Sequence, residues 1–323
     1  MKKRRFLYIC MILLLLCGLL GCTNHEKPAD EEVVEENTID TEEVVEQDDK
    51  DENDTSITCM SFNVQGINTQ DYLPAAIRAP YIAEYIKNVG VELAGLQEAG
   101  SHTYDWTGPF CELVCEDGQY GAIKIGDEPV FQDTTQREDG RVSNSAGLMI
   151  LYRTDRFELL DHGAQRYTST ESQERYFQWA KLRDVKTDKT VFVTNTHWSI
   201  DWDENGKLSV SAGIEHRTKQ ANELRAFWEN VVGDNVLFAT GDYNCNQISD
   251  WLIYLGKGIY KEGNEAYGWK GTPDLHIDNI FINTEQMDVA DYYMSEDRLM
   301  MEGVAYRFSD HEPVILKATY KTN

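Results

Sequence analysis

Ile57-Thr58-Cys59-Met60-Ser61-Phe62-Asn63 alternates with the two-residue period of a strand, and the run stops on an amide. A polar side chain at the lip of an apolar strand is costly unless it has a partner. The same ending recurs along the chain. Glu98 follows the short buried strand Leu93 to Gln97, and His197 follows Thr194-Asn195-Thr196. Asp242 and Asn244 come just after Ala239-Thr240-Gly241. Asp278 lies within His276-Ile277-Asp278-Asn279-Ile280-Phe281, and Asp310-His311 lies within Ser309-Asp310-His311-Glu312-Pro313-Val314. Taken singly, each is a cap or a turn residue. Six such endings on one chain gather carboxylate and amide oxygens of the kind a hard cation such as Mg²⁺ takes as ligands.

Working outward, the spacing predicts a helix with Pro80 near its first turn, Ile82, Ile86 and Val89 on one face, and Gly90 past its end. Strands are expected at Gly147 to Tyr152, Phe157 to Leu160, Phe177 to Arg183, Thr190 to Asn195, Val236 to Thr240, Ile277 to Ile282 and Val314 to Tyr320. A helix from about Ala212 to Val232 would bury Ile214, Ala221, Leu224, Trp228 and Val231, and another lies near Ile248 to Leu255. Strands with helices between them, unbroken by a linker or a repeat, suggest two sheets packed face to face with helices outside.

The 323 residues hold 30 Lys plus Arg against 56 Asp plus Glu, a net charge of −26. That does not suit a chain gripping nucleic acid through a broad basic face. It leaves room for an enzyme that holds phosphate through a bound cation. A mean hydropathy of −0.51 and one long apolar run exclude a polytopic membrane protein.

That run, Phe6 to Leu20, follows Lys2-Lys3-Arg4-Arg5 and closes on Leu19-Leu20-Gly21-Cys22. A basic head and a short apolar stretch make a secretory signal over residues 1–21. The ending resembles the bacterial lipobox, which implies cleavage before Cys22, lipidation of its thiol, and an extracytoplasmic protein held on the membrane only by that anchor. Residues 22–56 then form an acidic tether with too little apolar surface to order itself. It would span roughly 30 Å as a coil and about 110 Å at full stretch. The folded body is expected over residues 57–323, with Cys59, Cys111, Cys115 and Cys245 left as free thiols.

Ser61-Phe62-Asn63-Val64, Leu96-Gln97-Glu98, Asn195-Thr196-His197, Gly241-Asp242-Tyr243-Asn244, Ile277-Asp278-Asn279-Ile280-Phe281 and Ser309-Asp310-His311-Glu312-Pro313-Val314 together resemble the ordered motif set of the endonuclease/exonuclease/phosphatase superfamily. Leu148 to Arg153 resembles its central strand, and Arg217 with Gln220 its helix. The resemblance implies a four-layer α/β sandwich, two packed mixed β-sheets flanked by helices, with a metal site at one rim. It further implies Glu98 as the principal Mg²⁺ ligand (Mn²⁺ being the alternative), with Asn63 and Asp310 close by. Asp242 and Asn244 would hold the attacking water or a second ion and a phosphate oxygen. His311 would be the general base, oriented by Asp278, with His197 facing it across the phosphate. The superfamily often carries a glutamate ahead of the central strand to pair with the first histidine. Here Val142-Ser143-Asn144-Ser145-Ala146-Gly147 has no acid, leaving Asn144 or Ser145 for that bond.

These residue types also suit the chemistry on their own terms. An anionic ester admits a nucleophile only when a cation neutralises its oxygens. Histidine can take a proton near neutrality, and a carboxylate behind it fixes the tautomer. The expected activity is therefore a Mg²⁺-dependent phosphodiesterase, foremost a nuclease, acting on nucleic acid or nucleotides by direct attack of water on phosphorus. Phosphomonoesters and phospholipid headgroups, as in a sphingomyelinase, are the close alternatives, and no protein partner is expected. A binding module that lost catalysis and a metal-free carboxylate-pair hydrolase are the rivals from other classes. Asp201-Trp202-Asp203-Glu204-Asn205-Gly206 opens like a calcium loop, but Ala212 stands at its twelfth position, so it reads as a polar loop. Trp198, Trp202, Tyr267 and Trp269 read as core or loop-anchoring residues, and His102 and His162 as surface residues.

Overall fold

The computed structural model describes residues 55–66, 68–100, 104–124, 147–169, 174–271 and 275–322. The expected signal, Cys22, the tether as far as Asp54, His102, Asn144, Ser145 and the turn Thr272-Pro273-Asp274 lie outside the described residues.

In chain order the elements begin with β1 (Ser56–Asn63), α1 (Ala75–Asn88), β2 (Leu93–Gln97), α2 (Cys111–Cys115), β3 (Tyr120–Lys124) and β4 (Met149–Arg153). The middle supplies β5 (Phe157–Arg166), β6 (Tyr176–Asp184), β7 (Lys189–His197), α3 (Val210–Phe227), β8 (Val236–Asp242) and α4 (Asp250–Leu255). Then come β9 (Tyr260–Glu262), α5 (Gly263–Ala266), β10 (Asp278–Asn283), β11 (Met287–Met294), β12 (Leu299–Met301), β13 (Val304–Tyr306) and β14 (Val314–Tyr320). One mixed six-stranded sheet runs β11-β14-β1-β2-β4-β3 and a second runs β5-β6-β7-β8-β10-β9. Among the described residues parallel pairing is confined to β1–β2 and β7–β8, each joined through a helix, as parallel neighbours require.

Strand alternation builds three apolar layers. Ile57, Cys59 and Leu93 of the first sheet meet Val193, Phe238 and Ile280 of the second between the sheets. Met60, Phe62 and Leu96 pack outward on Ala79, Ile82 and Ile86 of α1. Phe192, Leu237 and Phe281 pack outward on Ala221, Leu224 and Leu252 of α3 and α4. The result is helix, sheet, sheet, helix: the four-layer sandwich.

The face that buries Ile57 and Cys59 continues, by its period of two, to Ser61 and Asn63. On β7 the face of Val191 and Val193 continues to Asn195 and His197, and on β8 that of Val236 and Phe238 continues to Thr240 and Asp242. Each inter-sheet stripe therefore turns polar toward one rim. Beneath the last residues polar groups bond to one another across the gap, with Gln97 Oε1 left unpartnered. Gln97 Nε2 donates to Asn195 Oδ1 at 2.7 Å, Asn195 Nδ2 donates to Leu96 O at 2.8 Å and Met149 O at 3.1 Å, and Gly241 N donates to Ser61 Oγ at 2.9 Å. Gly95 makes this approach feasible, since a Cβ there would stand 1.8 Å from Thr240 Oγ1.

Two helices differ from expectation. α1 starts at Ala75, behind Pro74, so Pro80 sits inside it rather than in its first turn. Packing of Ala75, Ala79, Ile82 and Ile86 on the sheet extends the helix through that proline despite the hydrogen bond lost there. α3 leaves Ile214 exposed, as is Val231 in the π-turn Trp228–Val232 that follows. Its buried face instead carries His216, Arg217 and Gln220, because it must serve a polar loop rather than apolar core. Arg217 donates to Ser199 O at 3.0 Å, and Gln220 binds Ser199 through both its backbone N–H and its hydroxyl. The strands β3, β9 and β11 and the hairpin β12–β13 were not anticipated from the sequence, and β5 runs on past Leu160 to Arg166. The four cysteines of the body are free thiols. Among the described residues no helix is long and apolar enough to cross a membrane.

Gly95→Ala forces a methyl into Thr240 and Asn195, so it is expected to lose about 1–3 kcal/mol of stability or more. Urea denaturation reads this as a lower midpoint at unchanged slope. A wild-type midpoint would mean that the sheets are not this closely apposed at Gly95.

Candidate active site

Register alone aligns three of the expected residues. His197 stands opposite Asp242 across the parallel β7–β8 pair, and Asp242 stands opposite Asp278 across the antiparallel β8–β10 pair. Both carboxylates are buried. Burial, then the neighbouring Asp278 charge, pushes the Asp242 carboxyl up to about 6, although His311 and hydrogen bonds from Asn63 and Asn244 pull it down. Burial first, and then the charges of Asp310 and Glu98, raise Asp278 as well, against the pull of His311.

His311 arrives on the turn before β14. Its backbone N–H donates to Ser309 Oγ at 3.2 Å, and that hydroxyl donates to Asn63 O at 2.7 Å, which sews the turn to the end of β1. The ring then places Nδ1 2.6 Å from Asp278 Oδ2 and Nε2 3.9 Å from Asp242 Oδ2. Burial works to lower the His311 pKa. The charge and hydrogen bond of Asp278, joined by Asp242 and Asp310, outweigh burial and push it up to about 10. The carboxylate can only accept, so the Nδ1 proton faces Asp278 and Nε2 is left toward the cleft.

His197 lies on the other side of Asp242, its Nε2 3.4 Å from the same Oδ2. Burial, then the charges of Arg175 and His311, hold it well below the ordinary histidine range. It is a neutral imidazole with Asp242 as its carboxylate neighbour. Its backbone strand ends in a loop pinned from several sides: Trp198 N donates to Asp242 O at 2.8 Å, and the Trp198 ring packs edge-on against Tyr243 at 4.9 Å. Asn244, at φ +49°, donates its Nδ2 to Trp198 O at 2.8 Å and its backbone N–H to Asp242 Oδ1 at 3.0 Å.

Asn63 joins the two sheets. Its Nδ2 donates to Asp242 Oδ2 at 2.9 Å and to Glu98 Oε1 at 3.1 Å, while its Oδ1 accepts from Gln65 N at 3.0 Å. Glu98 takes a left-handed backbone, φ +59°, immediately after β2. Gly66 lies hard against it, since a Cβ there would stand 1.9 Å from Glu98 O, and Gly66 N donates to Glu98 Oε2 at 3.3 Å. Asp310 is exposed beside His311, with Oδ1 3.1 Å from Ser309 Oγ.

One chain of contacts therefore links Glu98, Asn63, Asp242, His197, Asp278 and His311, with Asn244 and Asp310 at its edges. Asp242, Asp278 and His311 bring one potential ligand atom each within 4.8 Å of one another. Asp278 Oδ1 is buried without a partner, and burial and neighbouring negative charge raise both adjacent carboxyls above their ordinary range. Oxygen donors with surplus negative charge fit a hard divalent cation.

Two arginines were missed in the sequence. Arg78 is fully buried and donates to Leu73 O at 2.7 Å, Val64 O at 2.8 Å and Gln65 O at 2.7 Å, and also to Phe308 O. It ties the loop after β1 to the chain leading to Ser309, and the charges of Asp310 and Glu98 act on it from the site. Its signal was present: Arg78 continues the four-residue spacing of Ile82 and Ile86 on the apolar face of α1. Arg175 is buried near enough to His197 to lower its pKa, and no pattern in the sequence pointed to it. In the loop with the calcium-like opening, Asp201 is bound by Arg217, and Asp203 Oδ1 accepts from Asn205 N and Lys207 N, both at 2.9 Å. That is a closed polar turn.

Solved structures share this architecture. An endonuclease/exonuclease/phosphatase family protein from Bacteroides thetaiotaomicron is 20% identical over 83% of this chain and 99% of its own, with a TM-score of 0.61. A mannosyl-6-phosphatase from the same species is 20% identical over 82% of this chain and 100% of its own, at 0.56. TDP2 from D. rerio, complexed with single strand DNA product, is 15% identical over 82% and 100%, at 0.59. No curated protein matches the sequence. The profile of the Endonuclease/Exonuclease/phosphatase family matches residues 60–311, from the middle of β1 to His311 itself, and the chain belongs to that family.

Proposed function

We propose that this chain is a Mg²⁺-dependent phosphodiesterase, foremost a nuclease, that hydrolyses its substrate by direct attack of water on phosphorus. The observation that supports it best is the His311–Asp278 pair, 2.6 Å apart, standing over the Asp242–Asn63–Glu98 chain at the rim of the sheets. Asp278 orients the ring and stabilises its imidazolium, so that Nε2 handles the proton of the attacking water. Glu98, Asp242 and Asp310 would hold the cation, with Asn63 fixing Glu98 and Asp242 relative to each other. A divalent cation on these oxygens would neutralise the phosphate and weaken the carboxylates' grip on the His311 proton. His197, kept neutral, meets the phosphate as a hydrogen-bonding group without a charge of its own. Asn244 is held by Asp242 and the Trp198 carbonyl beside the same cleft. The lipobox-like Cys22 supports a protein that is secreted and held on the outer face of a membrane by lipid.

Purified full-length protein with Mg²⁺, offered bis-p-nitrophenyl phosphate, p-nitrophenyl phosphate, plasmid DNA and sphingomyelin, is expected to turn over the diester and DNA, and to stop on addition of EDTA. Turnover that survives EDTA would refute cation dependence, and preference for the monoester or for sphingomyelin would reassign the substrate class.

His311→Ala is expected to lower kcat/KM on the diester by about 10²–10⁴-fold, the usual loss for a general base. Undiminished turnover would remove His311 from that role.

Replacing Cys22 by Ser is expected to move the protein from the membrane fraction to the soluble one. An unchanged distribution on fractionation would exclude lipid at that cysteine.

A further inference from the structure

The hairpin β12–β13 comes just before the turn that carries His311, and its register sets two arginines side by side. Its ladder ends with Leu299 opposite Tyr306, so Arg298 and Arg307 are the next residues along the two strands. Like charges in that relation repel one another. Glu312 stands between them as their counter-ion. Arg298 meets it with both arms of the guanidinium, Nη1 3.2 Å from Oε2 and Nη2 3.1 Å from Oε1, and Arg307 Nη2 lies 2.8 Å from the same Oε1. A single exposed ion pair contributes little, but a two-armed contact within a network, on a carboxylate only 16% exposed, fixes a geometry.

This clasp acts on both sides of His311. Glu312 follows the histidine, and Arg307 Nη2 also donates to the carbonyl of Asp310, which precedes it, at 3.2 Å. Pro313 comes next, which restricts Glu312 to an extended backbone, and the proline carbonyl accepts from Ser295 N at 2.8 Å. The hairpin is itself anchored: Leu299 and Phe308 are buried in the layer of α1, and Phe308 packs on Tyr85 with ring centroids 4.9 Å apart. Ser309 sews the turn to β1 on its inner side, and the arginines close on it from the hairpin. The His311 ring reaches across to Asp278 on another strand, so the placing of this turn decides whether their 2.6 Å bond forms.

We propose that Glu312 is a positioning residue: gripped by Arg298 and Arg307, it fixes the turn so that the His311 ring meets Asp278 and Nε2 faces the cleft. Both of its oxygens are taken by guanidinium groups, so it is not open to a cation as the exposed Asp310 is. Its effect reaches the reaction through His311 rather than by contact with substrate. The hairpin thereby becomes part of the catalytic frame. The inference rests on the phosphodiesterase reading only in giving His311 a substrate to serve.

Proton NMR and kinetics of the full-length protein test this together. The Nδ1 proton of His311, identified by its loss in His311→Ala, gives a downfield resonance that reports the bond to Asp278 with no substrate present. Glu312→Ala is expected to shift or broaden that resonance. With Mg²⁺ it is expected to lower kcat on bis-p-nitrophenyl phosphate by on the order of 10²-fold, the cost of misplacing a group by about 1 Å, with KM little changed. Glu312→Gln, which keeps an oxygen for the arginines, is expected to recover part of both losses. A wild-type resonance in Glu312→Ala would overturn the proposal, as would a wild-type kcat, whatever happens to the urea midpoint. So would a glutamine variant no better than alanine. The resonance needs no turnover, so a wild-type protein inactive on every ester would sink the phosphodiesterase reading and leave this test standing.

Discussion

Two carboxylates face each other across one rung of a β-ladder. Asp242 and Asp278 are opposite partners on β8 and β10, both buried, and the pairing admits no other arrangement. Like charges directly opposite on a sheet destabilise it, and burial sharpens the repulsion. The surroundings answer this pair. His311 sets one nitrogen 2.6 Å from Asp278 and turns the other toward Asp242, so a single imidazolium serves both. Asn63 gives Asp242 a donor from the opposite sheet, and Asn244 gives it a backbone N–H. Even so, both carboxyls stay above their ordinary range, and Asp278 keeps an oxygen without a partner. Perturbed carboxyls of this kind cluster at catalytic sites.

The same physics that fills the core delivers these residues. A strand shows one face every second residue, so the stripe beginning with Ile57, Val191 or Val236 must arrive at Asn63, His197 or Asp242. The polar residues at that end stand on a second polar layer bonded across the gap between the sheets. Gln97, Asn195, Thr240 and Ser61 provide that layer, binding one another and the facing backbone. Gly95 lets the sheets come close enough for those bonds. Site and scaffold are therefore one structure: the network that carries the rim residues also fixes the register of one sheet on the other.

That is why much of the site was legible in the sequence. A residue at a strand end is read from its local neighbours, and the motifs around Asn63, Glu98, His197, Asp242, Asp278 and His311 each set a functional group at or beside the end of a strand. The sandwich followed from the same runs. What failed to show was set by contacts distant in the chain. Ile214 and Val231 looked like core on a helical wheel, yet α3 turns Arg217 and Gln220 inward to hold Ser199. Pro80 looked like a helix start, but apolar packing carries α1 through it. The nearness of Arg175 to His197 joins two residues at the ends of different strands, which no spacing encodes.

The placement of the arginines bears on how so acidic a protein deals with an anionic ester. With a net charge of −26, the surface repels phosphate at long range. Arg78 cannot compensate by contact, since its guanidinium is spent on backbone carbonyls of the loops behind the site. What it supplies is a positive charge behind the site that attracts Glu98 and Asp310 without itself bonding to their oxygens. Replacing those backbone bonds with a direct Arg–carboxylate pair would quench the very oxygens that must stay available to a cation. A buried arginine that holds loops rather than acids keeps the rim both ordered and anionic. Salt would then relieve the long-range repulsion without disturbing the site, because screening acts across solvent and far less on buried charge.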